Sequence, residues 1–368
     1  MCSTLLPASS VDDVKTNDCG YQNGNAWWLD HVAGSLAWSD SQPVTHVTVA
    51  VFDDGADIAH PDLRKQLWTN SAEANGKPGV DDDSNGYVDD LHGWDFVDDD
   101  ATVAPEGECQ GRLSHGTFMA SLVAAERNNR VGIAAAGSDG ARVMVIRMVG
   151  CRGQASQRAD PARLIRALDY ATRMGAKILS FSAHWNVTTP ELDAAFAAIA
   201  DRADTGRAAI IVASVPNKGE ATAGYPAAYS FTRMVRAIPI SNDNAISPGT
   251  TSAPAGRNLG APSACVIGAA APPFAYRMEH GSSNSTAILS GLLAGIWSTA
   301  AYAKFPVDEF LARVVDAQML KTSRRSQPAL KAPYLEGVPL ADACMLATSL
   351  KNARVCTPSP EPQRESRR

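Results

Sequence analysis

Apolar residues fall into short continuous runs separated by longer stretches with helical signals. Residues 46–52 form the first run, rich in β-branched side chains, and it stops abruptly at Asp53-Asp54-Gly55. That pattern predicts a buried strand. Further strands are expected at 142–149, 176–182, 208–215, 234–240 and 264–269. Between them, Ser114-His115-Gly116-Thr117 opens an apolar helix over 118–125. Asp160-Pro161 starts a helix to Met174, with proline at its favoured first position. Thr189-Pro190-Glu191 starts another, and 306–317 reads as amphipathic. The segment from Ala287 to Trp297 is apolar on nearly every face, and no Asp, Glu, Lys or Arg lies between Glu279 and Lys304. Such a helix belongs in a core, with its polar first turn at a cleft. Ser282 and Ser285 are expected to cap it.

Strands alternating with helices predict an α/β fold: a doubly wound, mostly parallel sheet with helices on both faces. Functional groups in such folds gather at the carboxyl ends of strands. Asp53, Ser182 and Asn217 stand at such ends. The expected organisation is an N-terminal arm over 1–40, a main domain over 41–320 and an extension over 321–368. The main domain carries an acidic insertion at 66–112 without clear periodicity. The last twelve or so residues are Pro-rich and charged, a composition expected to be disordered.

Composition narrows the classes. With 368 residues and 45% hydrophobic content, the chain can build one substantial core. A net charge of -6 argues against a nucleic-acid footprint. No run of 18 apolar residues occurs, so no transmembrane segment is expected. The first residues lack the basic start and long apolar region of a signal peptide. Cys2 would suit a lipid anchor left after a signal was trimmed. The seven cysteines show no metal-type spacing; they read either as buried thiols or as two or three disulfides of an exported protein. Cys344 with Cys356, and Cys109 with Cys151, are the expected pairs.

Three residues could share one chemistry. Asp53 ends an apolar run, so its carboxylate lies at the edge of a core. Asp54 reads as a solvated turn residue. His115 sits at a helix start. Ser283 lies in the first turn of the buried helix, where unpaired N–H groups and the dipole favour a developing oxyanion. A carboxylate, an imidazole and a hydroxyl in the order Asp, His, Ser are what serine acyl transfer needs.

On these residues the chain resembles the subtilisin-like serine peptidases, the subtilases. The carriers are Val49-Ala50-Val51-Phe52-Asp53-Asp54-Gly55 with His60-Pro61-Asp62-Leu63, His115-Gly116-Thr117, Gly281-Ser282-Ser283, Asn217-Lys218-Gly219 with Tyr225-Pro226-Ala227, and Gly260-Ala261-Pro262. Asp-Asp-Gly is the form of the proprotein-convertase branch. The resemblance covers roughly 27–317 and implies a serine endopeptidase with Ser283 as nucleophile, His115 as base and Asp53 as orienting acid. Asn217 and the Ser283 N–H would bind the oxyanion. It also implies that Ser182, Ala183 and His184 pair with substrate backbone, and that Ser214, Val215 and Pro216 line the specificity pocket. An extracytoplasmic location and a peptide or protein substrate follow. Only 52 residues precede Asp53. That is too few for the family's prodomain plus an arm, so it is expected to have been removed or to be dispensable.

Several positions depart from the family pattern. Asn284 and Ala287 replace a Met and a Pro, and His184 replaces a pocket Gly. Ser214-Val215-Pro216 replaces Ala-Ala-Gly. These changes are expected to narrow or close the pocket, and Pro216 to re-aim Asn217. His280 reads as a rim residue. In the insertion, Asp81, Asp83, Asn85 and Asp89 have a calcium-loop rhythm, although His92 stands where an EF-hand would have Glu. A structural calcium and a tight acidic turn both fit; no other cofactor is expected. Two rival functions remain: a degenerate subtilase that binds peptides without cutting, and a subtilase that passes its acyl group to an amine. A nucleotide-binding protein would need a G-x-G-x-x-G after the first strand, which is missing.

Overall fold

The computed structural model describes residues 16–32, 43–105, 114–150, 160–201, 206–216, 224–241, 247, 250, 253–272, 275–317 and 319. Two short helices, α1 (Cys19–Gln22) and α2 (Trp27–His31), precede β1 (Val47–Asp53). Next come α3 (Ser71–Ala74), β2 (Gly93–Asp95), α4 (His115–Ala124), β3 (Ala141–Arg147), α5 (Pro161–Arg173), β4 (Ile178–Phe181), α6 (Pro190–Ala200) and β5 (Ile210–Ser214). The chain continues through β6 (Met234–Ile240), β7 (Arg257–Pro262), β8 (Val266–Ala269), β9 (Tyr276–Glu279), α7 (Ser282–Trp297) and α8 (Val307–Leu311). α8 runs on into a π-helical turn, Ala312–Asp316.

Among the described residues, seven strands form one sheet in the order β2-β3-β1-β4-β5-β6-β7, every neighbouring pair parallel. Successive side chains of a strand point to opposite faces, and β1 shows the result. Val47, Val49 and Val51 join the core that holds α4 and α7. Ala50 and Phe52 join the other core, with Leu164 and Leu168 of α5 and Phe196 of α6. A strand covered on both faces must be apolar throughout, and that is why β1 reads as a continuous run. The doubly wound parallel architecture therefore stands.

Four details differ from the sequence reading. The 66–112 insertion contributes α3 and an edge strand of the main sheet, β2; three residues are too few to show a period. β7 was not expected, because Gly260-Ala261-Pro262 reads as a turn, yet it pairs with β6 over its whole length. The run at 264–269 is no member of the main sheet: β8 pairs antiparallel with β9 instead. Ser282 and Ser285 do not cap α7, whose N-cap is Gly281. The Ser285 hydroxyl instead donates to the Ala261 and Pro262 carbonyls, 2.7 and 3.0 Å away.

The described part of the N-terminal arm docks on the sheet domain. Trp28 and Leu29 are fully buried, and Asp18 accepts the backbone N–H groups of Asn128 and Asn129. Cys2, the expected cysteine pairs and the 321–368 extension lie outside the described residues. Cys19 is an exposed free thiol. Among the described residues no helix is long and apolar enough to cross a membrane.

Candidate active site

β1 and β4 are neighbours, and Phe52 is in register with Phe181. The next residues of the two strands, Asp53 and Ser182, therefore leave the sheet side by side at its carboxyl edge. Each one holds a residue at the start of a helix. Asp53, 5% exposed, places its two carboxylate oxygens 2.9 and 2.8 Å from His115 Nδ1. His115 is the first residue of α4. A carboxylate only accepts, so in the neutral imidazole Nδ1 carries the proton and Nε2 offers its lone pair. On the adjacent strand the Ser283 hydroxyl donates to the Ser182 carbonyl at 3.0 Å, and the Ser182 hydroxyl donates back to the Ser283 carbonyl at 3.1 Å.

Of the sixteen residues in α7, Ser283 alone is not buried. The apolar helix is thus committed to the core, and one hydroxyl is left at its mouth. α4 and α7 pack against each other. No hydrogen bond joins His115 to Ser283 in this arrangement; the Ser182 carbonyl holds the hydroxyl instead.

Asp54 is not the solvated turn residue that the sequence suggested: it is 6% exposed. Its carboxylate accepts the His115 N–H at 3.1 Å and the Gly116 N–H at 2.7 Å. Ser114, the N-cap, accepts the Thr117 N–H at 3.4 Å. The first three amides of α4, which no helical carbonyl can reach, are satisfied in this way. The Asp54 N–H in turn donates to Asp53 at 2.9 Å. Position 116 must be glycine, because a Cβ there would collide with the Gly55 carbonyl. Two consecutive acidic residues therefore do different work: Asp53 grips the imidazole, and Asp54 grips the backbone that carries it. The doublet itself was the available signal; burial was not readable from it.

Charge follows this geometry. Desolvation pulls the His115 pKa down, but the charge and hydrogen bond of Asp53, with Asp54 behind it, outweigh that and raise it to about 9. Burial first, and then the neighbouring Asp53 charge, push Asp54 up to about 7 against the pull of His115 and the two amides.

The remaining expected groups are distributed as follows. His184 is exposed beside Gly224, where a Cβ would lie 3.3 Å from the imidazole Cδ2. The residue after it, Trp185, pairs antiparallel with Tyr225 through hydrogen bonds of 3.0 and 2.7 Å. Ala183 is half-buried, and Ser214, Val215 and Pro216 are all buried. Asn217 lies outside the described residues. Asn284 sends its amide to the Ser263 carbonyl at 3.0 Å and the Glu279 carbonyl at 3.3 Å, which fixes the approach to α7. His280 is exposed.

In the acidic insertion, oxygens of Asp81, Asp83 and Glu73 lie within 4.8 Å of one another. Glu73 was not anticipated, since it belongs to α3 and meets the loop only through folding. Asn85 and Asp89 are not in this group of three, and all four loop residues make hydrogen bonds within the loop. Asn85 donates to Asp83 and Asp90 at 3.1 Å each, and Asp89 accepts the Gly79 N–H at 2.7 Å. Three hard oxygen donors suit a calcium ion by chemistry.

A family model described as the subtilase family matches residues 45–336. The chain is 35% identical over 144 residues to Subtilisin-like protease 1 of Plasmodium vivax, a stretch covering 39% of this chain and 21% of that protein. It is 26% identical over 224 residues to thermitase of Thermoactinomyces vulgaris, covering 61% of this chain and 66% of that one. To the thermophilic serine proteinase of Bacillus sp. strain AK1 it is 26% identical over 222 residues, 60% of this chain and 45% of that one. The chain thus spans about a fifth of the P. vivax relative's length. With the motif positions gathered at one edge of a parallel sheet and the family match running across most of its length, this chain belongs to the subtilase family.

Proposed function

We propose that this protein is a serine endopeptidase in which Ser283, His115 and Asp53 form an acyl-transfer triad. One observation carries the reading: Asp53 and Ser182 leave adjacent strands side by side, one holding His115 at 2.8 Å and the other holding Ser283 at 3.0 Å. For attack, the Ser283 hydroxyl exchanges the Ser182 carbonyl for His115 Nε2. A single hydroxyl–carbonyl bond is worth about 1 kcal/mol net, so the exchange is a minor part of any barrier. His115 Nε2 takes the hydroxyl proton as Oγ bonds to the peptide carbonyl carbon. It then returns that proton to the departing amine as the C–N bond breaks. Water repeats the sequence on the acyl-enzyme and releases the acid. Asp53 keeps the imidazole in the required tautomer and stabilises the imidazolium. The oxyanion is assigned to the Ser283 N–H, in the first turn of α7, and to the Asn217 side chain; losing one such donor typically costs about 10²–10³ in turnover.

An extended peptide pairs with the edge at Ser182-Ala183-His184, which gives affinity without reading sequence. His184 beside Gly224, together with the burial of Val215 and Pro216, supports a shallow pocket and a small residue before the scissile bond. Glu73, Asp81 and Asp83 are the proposed holders of a structural calcium, and export from the cytoplasm is the proposed setting.

The second reading, a peptide-binding subtilase without turnover, draws on the Ser283–Ser182 hydrogen bond. A fluorophosphonate probe separates the two. Labelling of the wild type and none of Ser283→Ala is the expected result; a folded, unlabelled wild type would favour the binding protein. Adding an amine nucleophile during peptide turnover then tells hydrolysis from ligation.

A further inference from the structure

At the other end of the sheet from the catalytic groups, a cavity of about 510 Å³ opens between the starts of β6 and β7. Catalysis makes no use of it. Phe231, Met234, Met319 and Ala255 supply apolar wall, and Arg236 supplies the charge. That arginine is 1% exposed. Its Nε donates to the Ala227 carbonyl at 2.6 Å and its Nη2 to the Tyr229 carbonyl. Both acceptors are neutral, so the guanidinium keeps its full positive charge. Nη1 makes no hydrogen bond among the described residues. It lies against Gly256, where a Cβ would come within 2.9 Å of it. A side chain at 256 would cover this nitrogen, and glycine leaves it open to the cavity.

A buried charge without a counter-charge is costly, and proteins normally pair it. The nearest carboxylate in the lining is already committed: Asp316 is held by Arg257 through two contacts of 2.6 Å. Burial pulls the Arg236 pKa down to about 10, with no carboxylate among the described residues raising it, and the group stays charged at neutral pH. We infer that this cavity is a second binding site, taking a carboxylate whose apolar body fills the Phe231–Met234–Met319 wall and whose oxygens meet Arg236 Nη1. The volume lies within the range of small-molecule sites, roughly 300–1,000 Å³. An inorganic phosphate fits less well: of the further donors in the lining, Arg257 is tied to Asp316 and the Thr232 hydroxyl donates to the Ala200 carbonyl at 3.0 Å, which leaves Ser230. The site stands whether or not the triad is active.

Two sources share this chemistry, a free organic acid and the carboxyl terminus of a peptide. The test uses the full chain carrying Ser283→Ala, so that no probe is consumed. Calorimetric titration compares 4-phenylbutyrate with its primary amide, and a leucine-terminated tripeptide acid with its amide. Saturable one-to-one binding of an acid and not of its amide is expected, and whichever acid binds identifies the source. Arg236→Gln should weaken that binding by about 10–100-fold, the span expected for losing a charged hydrogen bond. Ala255→Trp, at an exposed position on the rim, should abolish it by filling the cavity while Arg236 stays in place. Equal binding of acid and amide, binding of neither acid, or binding unchanged in Ala255→Trp would each overturn the assignment.

Discussion

The chain holds two acidic concentrations, and they behave in opposite ways. At the end of β1, Asp53 and Asp54 are buried and turned inward, toward an imidazole and toward the first amides of α4. In the insertion, Asp81, Asp83 and Asp89 sit at or near the surface and take up amides of their own loop: Asp81 accepts from Asn85 and Gly86, and Asp89 accepts from Gly79. Protonation follows the difference. Burial and a like charge push Asp54 up to about 7, whereas the Gly86 amide draws Asp81 below the ordinary carboxylate range. A run of aspartates in a sequence thus says little until it is known which of them have left water. Here the two that have left it hold an imidazole and the start of a helix, and those that remain shape a loop.

The strongest way to break this contrast is Asp53→Asn. If Asp53 orients His115, fluorophosphonate labelling of Ser283 should slow by about 10⁴-fold with the fold retained, as expected when the imidazole loses its tautomer partner. A loss under tenfold would show that the carboxylate is structural. Asp54→Ala should act more weakly, through position. Freeing the His115 and Gly116 amides should cost about 2 kcal/mol in denaturant stability. Shifting the ring should slow labelling by about 10²-fold. An unchanged rate would confine Asp54 to capping.

The pH dependence sharpens the comparison further. His115 must be neutral to accept a proton, so labelling should climb as pH rises toward and through about 9. The stability signs run the other way. The folded pKa of His115 lies above its ordinary 6.5, so its contribution is complete below 6.5 and lost as pH rises through about 9. Asp54, also raised, favours the folded state most below its ordinary 3.8 and loses that advantage as pH climbs through about 7. Asp81, lowered, contributes above the ordinary carboxylate pKa and loses it in acid. Melting curves of Ser283→Ala against pH should therefore fall from neutral to alkaline conditions, and Asp54→Asn should flatten the limb below 7. The smallest effect belongs to the loop. Asp83→Ala should leave the labelling rate unchanged and remove any calcium-dependent rise in melting temperature. A calcium response that survives both Asp83→Ala and Glu73→Gln would place the ion elsewhere.

Much of the fold was legible because it rests on local signals. The alternation of apolar runs with capped helices gave the doubly wound sheet, and Asp160-Pro161 and Thr189-Pro190 marked α5 and α6 where they begin. Strands with weak local signals were lost: β2 is too short for a period, and β7 carries Gly and Pro that imitate a turn. Within the candidate site, Asp53, His115 and Ser283 could be proposed from the sequence because each sits in a motif. Glu73 and the burial of Asp54 could not, since both depend on segments distant along the chain.

By itself, then, the sequence determined which groups are available and in what order the elements come. Hydrophobic period and helix-start chemistry act over a few residues, and those ranges are printed in the chain. The tertiary structure decided what those groups face. Strand register set Asp53 beside Ser182, desolvation and a neighbouring charge moved the pKa of Asp54, and the packing of β6 against β7 enclosed Arg236 without a carboxylate partner among the described residues. Each of these depends on through-space distance and on the exclusion of water, which a linear order of residues does not specify.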